Sequence, residues 1–161
     1  MANRPPALDP YVFCIADLKV EACKKLPPTY RDYYNGGAME MITLRENEEA
    51  YNKFRIRSRI LRNVSNVDLS TTICGQRVAL PFGFSPTAMH KLAHPEGEIA
   101  TSRAAANMGV AMCLSSYANT SLEDVRRVGN GNPYMMQMCI VKDREITRQL
   151  IRRAKGECRV P

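Results

Sequence analysis

The sequence predicts an α/β protein whose first third is helical. From residue 81 onward, short apolar runs of four to six residues alternate with helical patterns, the rhythm of parallel strands joined by crossover helices. Before that point apolar residues recur mostly at helical spacing. The 161-residue length and the composition (45% hydrophobic, 24% charged) suit one folded domain and exclude a collagen-like or wholly disordered chain.

The N-terminal elements follow from their stop signals. Ile15, Leu18, Ala22 and Leu26 share a helical face, and Pro27-Pro28 ends it. A second helix starts at Pro28, carries Tyr30, Tyr33 and Tyr34, and is expected to end at Gly36-Gly37 through a left-handed glycine cap. Thr43-x-x-Glu46 reads as a capping box opening a third helix to about Phe54. A hairpin is then expected, with 72–74 pairing with 77–80 around Gly75-Gln76.

The α/β part runs strand 82–85, helix 94–108 with Pro95 near its start and Gly109 past its end, and strand 110–114. Ser121-x-x-Asp124 caps the next helix, which Gly129 stops, before strand 135–140 and a last helix over 143–154. That last helix places Ile146, Leu150, Ile151 and Ala154 on one side and basic residues on the other. Three parallel strands leave open edges, so the pattern resembles the beginning of a larger sheet.

Charge and cysteine usage narrow the function classes. The net charge of +7 is concentrated near the C-terminus, in a stretch (142–161) without an aromatic residue, so a nucleic-acid partner is not expected. No apolar run is long enough to cross a bilayer, and the opening MANRPPALDP has no apolar stretch, so neither a membrane partner nor a secretory signal is expected. The six cysteines form no C-x-x-C pair. They read as reduced, mostly buried thiols in a cytoplasmic compartment, and no metal site is expected.

No phosphate-binding glycine loop, zinc motif or nucleophile elbow is present. What remains is polar residues where the apolar runs end: Ser85-Pro86-Thr87-Ala88, Ser115-Ser116-Tyr117 and Gln137. Ligands of parallel α/β folds bind at the carboxyl ends of strands, although a hydroxyl at such a place more commonly caps a helix.

Five blocks carry a resemblance: KLPPTYRDYYNGGA (25–38), TLRENEEAYNKFRIRSRIL (43–61), SPTAMHKLAHPEGEIATSRAAANMG (85–109), LSSYANTSLEDV (114–125), and Gln137 followed by VKDR. Together they resemble the FMN-dependent 2-hydroxy acid oxidase and dehydrogenase family, which includes glycolate and lactate oxidases. The resemblance implies N-terminal helices followed by the first three or so βα units of a TIM barrel, an incomplete barrel. It divides the chain into a disordered N-terminus (1–13), a partial family domain (14–155) and a divergent tail (156–161).

The resemblance implies FMN as cofactor, with Pro86, Thr87 and Ala88 against the flavin ring, Ser115 as a flavin-contacting hydroxyl and Gln137 as a flavin-bonding amide. It assigns Tyr33 to the substrate carboxylate. Tyr117 stands where glycolate oxidases have tryptophan, and Cys139 where the family has a tyrosine that polarises the substrate oxygen. A thiol is a much weaker donor than a phenol. Neither His90 nor His94 matches the family's catalytic histidine; His94 is expected to cap or precede its helix. The family's general base, arginine, lysine and phosphate loops match nothing in this chain, so no catalytic residue is assigned. The expected function of a complete form is oxidation of a small 2-hydroxy acid to the 2-oxo acid, with this chain inactive alone. Homo-oligomerisation and, for a full-length form, a peroxisomal location stay open. The alternative is a non-catalytic interaction protein.

Overall fold

Residues 11–157 are described by a computed structural model. The expected N-terminal disorder before residue 11 and the tail from residue 158 lie outside the described residues. The chain divides into two compact units, Met1–Arg62 and Asn63–Pro161.

In the first unit, α1 (Ile15–Lys25) is opened by Asp17, whose Oδ2 accepts the main-chain N–H groups of Phe13 and Cys14 at 2.9 and 3.0 Å. Those bonds, led by that from Phe13, hold the carboxyl below its ordinary pKa. Helix α2 (Pro28–Asn35) begins with proline as expected, but Gly36 closes it in an extended conformation (φ −76°) rather than the left-handed cap. Glycine is required there for space: a Cβ would lie 2.5 Å from the Asp32 carbonyl oxygen. Helix α3 (Ile42–Glu49) starts one residue before the expected capping threonine and tightens into a 3-10 turn over Ala50–Lys53. The Arg45 N–H donates to the Met41 carbonyl, so Thr43 lies inside the first turn and makes no cap. None of the three helices buries a residue.

The second unit holds two sheets. β1 (Thr71–Ile73) and β2 (Gln76–Val78) form an antiparallel hairpin with Ile73 opposite Gln76. Its two-residue turn is Cys74-Gly75, one position earlier than expected, with φ of 50° and 79°. Positive φ at both central residues is the turn geometry that matches strand twist, and Gly75 takes it without a Cβ penalty.

β3 (Gly83–Phe84), β4 (Ala111–Leu114) and β5 (Tyr134–Met136) form a parallel sheet in the order β3-β4-β5. Gly83 is needed where β3 meets β4, since a Cβ would lie 2.3 Å from the Ala111 carbonyl oxygen. The third strand is shorter than expected and ends before Gln137. Burial on both faces holds only for central β4; the β3 residues are exposed and those of β5 half-buried.

Helix α4 (Glu98–Met108) ends on Gly109 in the expected left-handed conformation (φ 62°). It starts four residues later than expected, because Gly97 (φ 53°, ψ −131°) breaks the helical path, and His90–Leu92 forms a separate 3-10 turn. Helix α5 (Leu122–Arg127) has the expected cap: Ser121 Oγ accepts the Asp124 N–H at 3.2 Å. Ser121→Ala is expected to cost about 1 kcal/mol in urea denaturation.

Helix α6 (Arg144–Glu157) is tied to α5 by a bidentate pair, Arg153 to Glu123, at 2.8 Å for both bonds. The pair holds the Glu123 carboxyl down to about 2. Of the expected apolar face, Leu150 and Ala154 turn inward, while Ile146 and Ile151 stay half exposed.

The core packs α4 and α5 on one face of the sheet through Ala105, Val110, Met112, Leu114, Leu122 and Val125. Its polar groups are satisfied: buried Ser102 donates to the Val125 carbonyl at 2.7 Å and lies 2.5 Å from the Tyr134 hydroxyl. No described cysteine is fully buried. Cys14 and Cys74 are exposed and Cys23, Cys113 and Cys139 half-buried, against the expectation of mostly buried thiols. The two exposed ones sit at chain positions outside the core, one before α1 and one in the hairpin turn. No helix among the described residues is long and apolar enough to cross a membrane.

Candidate functional site

Because β3, β4 and β5 run parallel, the segments that follow them leave the sheet at one edge. The structure thereby gathers Pro86–Ala88, Ser115–Tyr117 and 137–139, the residues singled out in the sequence. Hydrogen bonds tie the second segment to the third, and Met89, next in the chain after the first, to the second. The Ser116 main-chain N–H and hydroxyl both donate to Gln137 Oε1, at 3.2 and 3.3 Å. The Gln137 N–H donates to the Leu114 carbonyl at 2.8 Å, and the Met89 N–H to the Tyr117 carbonyl at 3.1 Å.

Each candidate side chain has a definite setting. Ser115 is buried, and its Oγ accepts the Tyr117 N–H at 3.1 Å. Tyr117 is 62% exposed. Gln137 is half-buried, with Nε2 directed at Cys139 Sγ at 3.4 Å. The Ser116 hydroxyl, then the Gln137 amide, hold the Cys139 thiol below its ordinary pKa. Burial instead pushes the Cys113 thiol, on β4, upward.

The Pro86–Ala88 segment is open. Thr87 Oγ1 makes a long bond to the Ser85 carbonyl, 3.4 Å, and among the described residues no hydrogen bond engages the main-chain N–H of Thr87 or Ala88. Met89, next in the chain, holds φ of 53°, a left-handed conformation that a non-glycine residue rarely takes.

Tyr33 is not part of this cluster's unit. It lies on α2 in the first unit, exposed, with its ring edge-to-face against Tyr34 at 5.3 Å between centroids. His94 precedes α4, one of its two expected placements, without capping it; its ring Nδ1 accepts the Glu96 N–H at 3.2 Å in the turn before the helix.

Sequence reasoning missed Glu98. It is fully buried, and its Oε1 accepts the N–H groups of His90 and Asn119 at 3.1 and 3.0 Å. Oε2 accepts the Thr120 hydroxyl at 2.8 Å. Burial raises its pKa, but the bonds from Asn119, its own N–H, Thr120 and His90 outweigh that, and the net shift is downward. In the sequence it is one more acidic residue at a helix start, where solvent exposure is the ordinary expectation. His90, which had no role in the sequence, supplies one of these N–H groups and places its ring 3.1 Å from Thr101 Oγ1.

Neutral donors at the carboxyl edge of a parallel sheet suit a planar heterocycle with a polar rim. Oxidase FUB9 of Fusarium oxysporum f. sp. lycopersici is 50% identical over 149 residues, covering 91% of this chain and 38% of that protein. 2-Hydroxyacid oxidase 1 of Mus musculus is 42% identical over 148 residues (92% of this chain, 40% of that protein), and the glycolate oxidase of Spinacia oleracea 46% over 134 (83% and 36%).

Among solved structures, mandelate oxidase with 3,3-difluoro-2-hydroxy-3-phenylpropionic acid superposes with a TM-score of 0.82 at 33% identity, over 89% of this chain and 43% of that one. The chain thus spans about two fifths of the length of the relatives it matches. The family model described as FMN-dependent dehydrogenase matches residues 22–158, which include α2 through α6 and all three strand-end segments. With that match running through both units and every candidate residue, the chain belongs to the FMN-dependent dehydrogenase family.

Proposed function

We propose that this chain is the flavin-facing N-terminal part of a 2-hydroxy acid oxidase, an incomplete TIM barrel that oxidises a small 2-hydroxy acid to the 2-oxo acid only in a completed form. The observation that carries the reading is the convergence of three strand-end segments, with Gln137 bonded to Ser116 across two of them. The donor set fits FMN. Among the described residues, two main-chain N–H groups without an acceptor (Thr87, Ala88), a buried hydroxyl (Ser115) and an amide whose Nε2 meets a weak thiol acceptor (Gln137) match a flavin's polar edge.

Bound FMN would supply the two-electron acceptor of the reaction. In this reading Pro86–Ala88 packs against the flavin face, and Ser115 and Gln137 orient it. Tyr33 holds the substrate carboxylate, Tyr117 covers the substrate, and Cys139 faces the oxygen that becomes a carbonyl. The thiol is a weaker donor than a phenol, so the hydroxyl of the substrate receives less polarisation here than a tyrosine would give. The general base is not assigned to any residue of this chain. A reducing, cytoplasmic compartment belongs to the same proposal.

The test joins this chain to the C-terminal portion of a family relative and titrates FMN by flavin fluorescence. Gln137→Leu is expected to weaken FMN binding by about 1–3 kcal/mol, since a buried flavin atom loses its donor. Unchanged affinity removes Gln137 from the cofactor site.

A further inference from the structure

We propose that Glu98 is a positioning residue: its buried carboxylate clamps the β3–α4 loop to the β4–α5 loop and so presents Pro86–Ala88 and Ser115–Tyr117 as one surface. The inference rests on the reading of those two loops as the flavin-contacting ones, and it adds what holds them in register.

The geometry is specific. From the first loop the His90 N–H reaches Oε1 at 3.1 Å; from the second, the Asn119 N–H reaches the same oxygen at 3.0 Å and the Thr120 hydroxyl reaches Oε2 at 2.8 Å. Two further bonds run directly between the loops, Met89 N–H to the Tyr117 carbonyl and Lys91 N–H to Asn119 Oδ1, both at 3.1 Å. Every one of these donors comes from loop backbone or a loop hydroxyl, so the carboxylate replaces the regular pairing that two loops cannot make with each other.

A buried carboxylate without its partners is costly, and a buried carboxylate with them is acceptor-only and strongly directional. Glu98 is therefore a rigid link rather than a contact of convenience. It stands at the first turn of α4, whose packing on the core through Ala105 anchors the link to the sheet. The left-handed Met89, between Ala88 and His90, is the residue that this link keeps in an unfavourable conformation.

The experiment is amide hydrogen exchange on the full 161-residue chain, without flavin. Glu98→Ala and Glu98→Leu are expected to speed exchange at His90, Lys91 and Asn119 on the order of tenfold, while Met112 and Leu114 of β4 keep their protection. Glu98→Gln is expected to restore slow exchange, because its amide oxygen still accepts both N–H groups and its NH₂ donates to the Thr120 hydroxyl. If Glu98→Ala fails to fold, Thr120→Val, which removes one donor, is expected to speed exchange at Asn119 alone.

Wild-type exchange at the three loop amides in Glu98→Leu overturns the proposal. So does a uniform rise that includes β4, and so does unchanged Asn119 exchange in Thr120→Val. The readout needs no flavin. Failure of the clamp leaves the flavin reading intact, and an unchanged FMN affinity in Gln137→Leu leaves the clamp intact.

Discussion

Cys139→Tyr, in this chain joined to the C-terminal portion of a family relative, is expected to raise turnover of a 2-hydroxy acid about tenfold. The structure places Cys139 at the carboxyl edge of the sheet, two residues beyond Gln137, with its Sγ 3.4 Å from the Gln137 amide nitrogen. In the proposed reaction the substrate oxygen becomes a carbonyl, so a donor beside it interacts differently with the ground and transition states. Such an interaction raises turnover rather than only lowering the Michaelis constant. One well-placed donor can be worth ~10²-fold or more, and one retrofitted into a site shaped around a thiol delivers less. Stopped-flow reduction of the bound flavin by glycolate or lactate separates the effect from reoxidation. If the rate is unchanged or lower while flavin stays bound, the cysteine serves a different substrate, and oxidation of a simple 2-hydroxy acid fails as the assignment.

Met112→Ala is expected to destabilise the second unit by about 2–5 kcal/mol. Met112 is 1% exposed and occupies the middle of the parallel sheet, opposite Phe84 on one side and Tyr134 on the other. Truncation there removes apolar burial and leaves a cavity that neighbouring strands cannot close without losing their register. A loss of that size is a large part of an ordinary domain's stability, whereas loss of the Ser121 cap costs a fraction of it. Urea denaturation followed by far-UV circular dichroism gives both values. A cost near that of Ser121→Ala would mean that β4 is not the centre of the core.

The sequence by itself determined the order of elements and their class. Stop signals such as Pro27-Pro28, the Gly109 cap and the Ser121 cap act within one or two turns of chain, so they are legible without the rest of the molecule. The candidate residues at the strand ends were legible for a related reason. Apolar runs buried in a parallel sheet give way to polar residues where the chain leaves it, and parallel strands send those ends to one edge.

What the tertiary structure alone decided is of two kinds. Boundaries moved by a few residues: β5 stops before Gln137, whose side chain bonds Ser116 in another loop, and α4 waits for Glu98 because Gly97 turns the chain. The role of Glu98 itself could not be read in advance. Its partners His90, Asn119 and Thr120 lie up to 22 residues away, on two different loops. A carboxylate at a helix start is ordinarily solvated, and only the folding of two loops over it turns a surface charge into a buried acceptor.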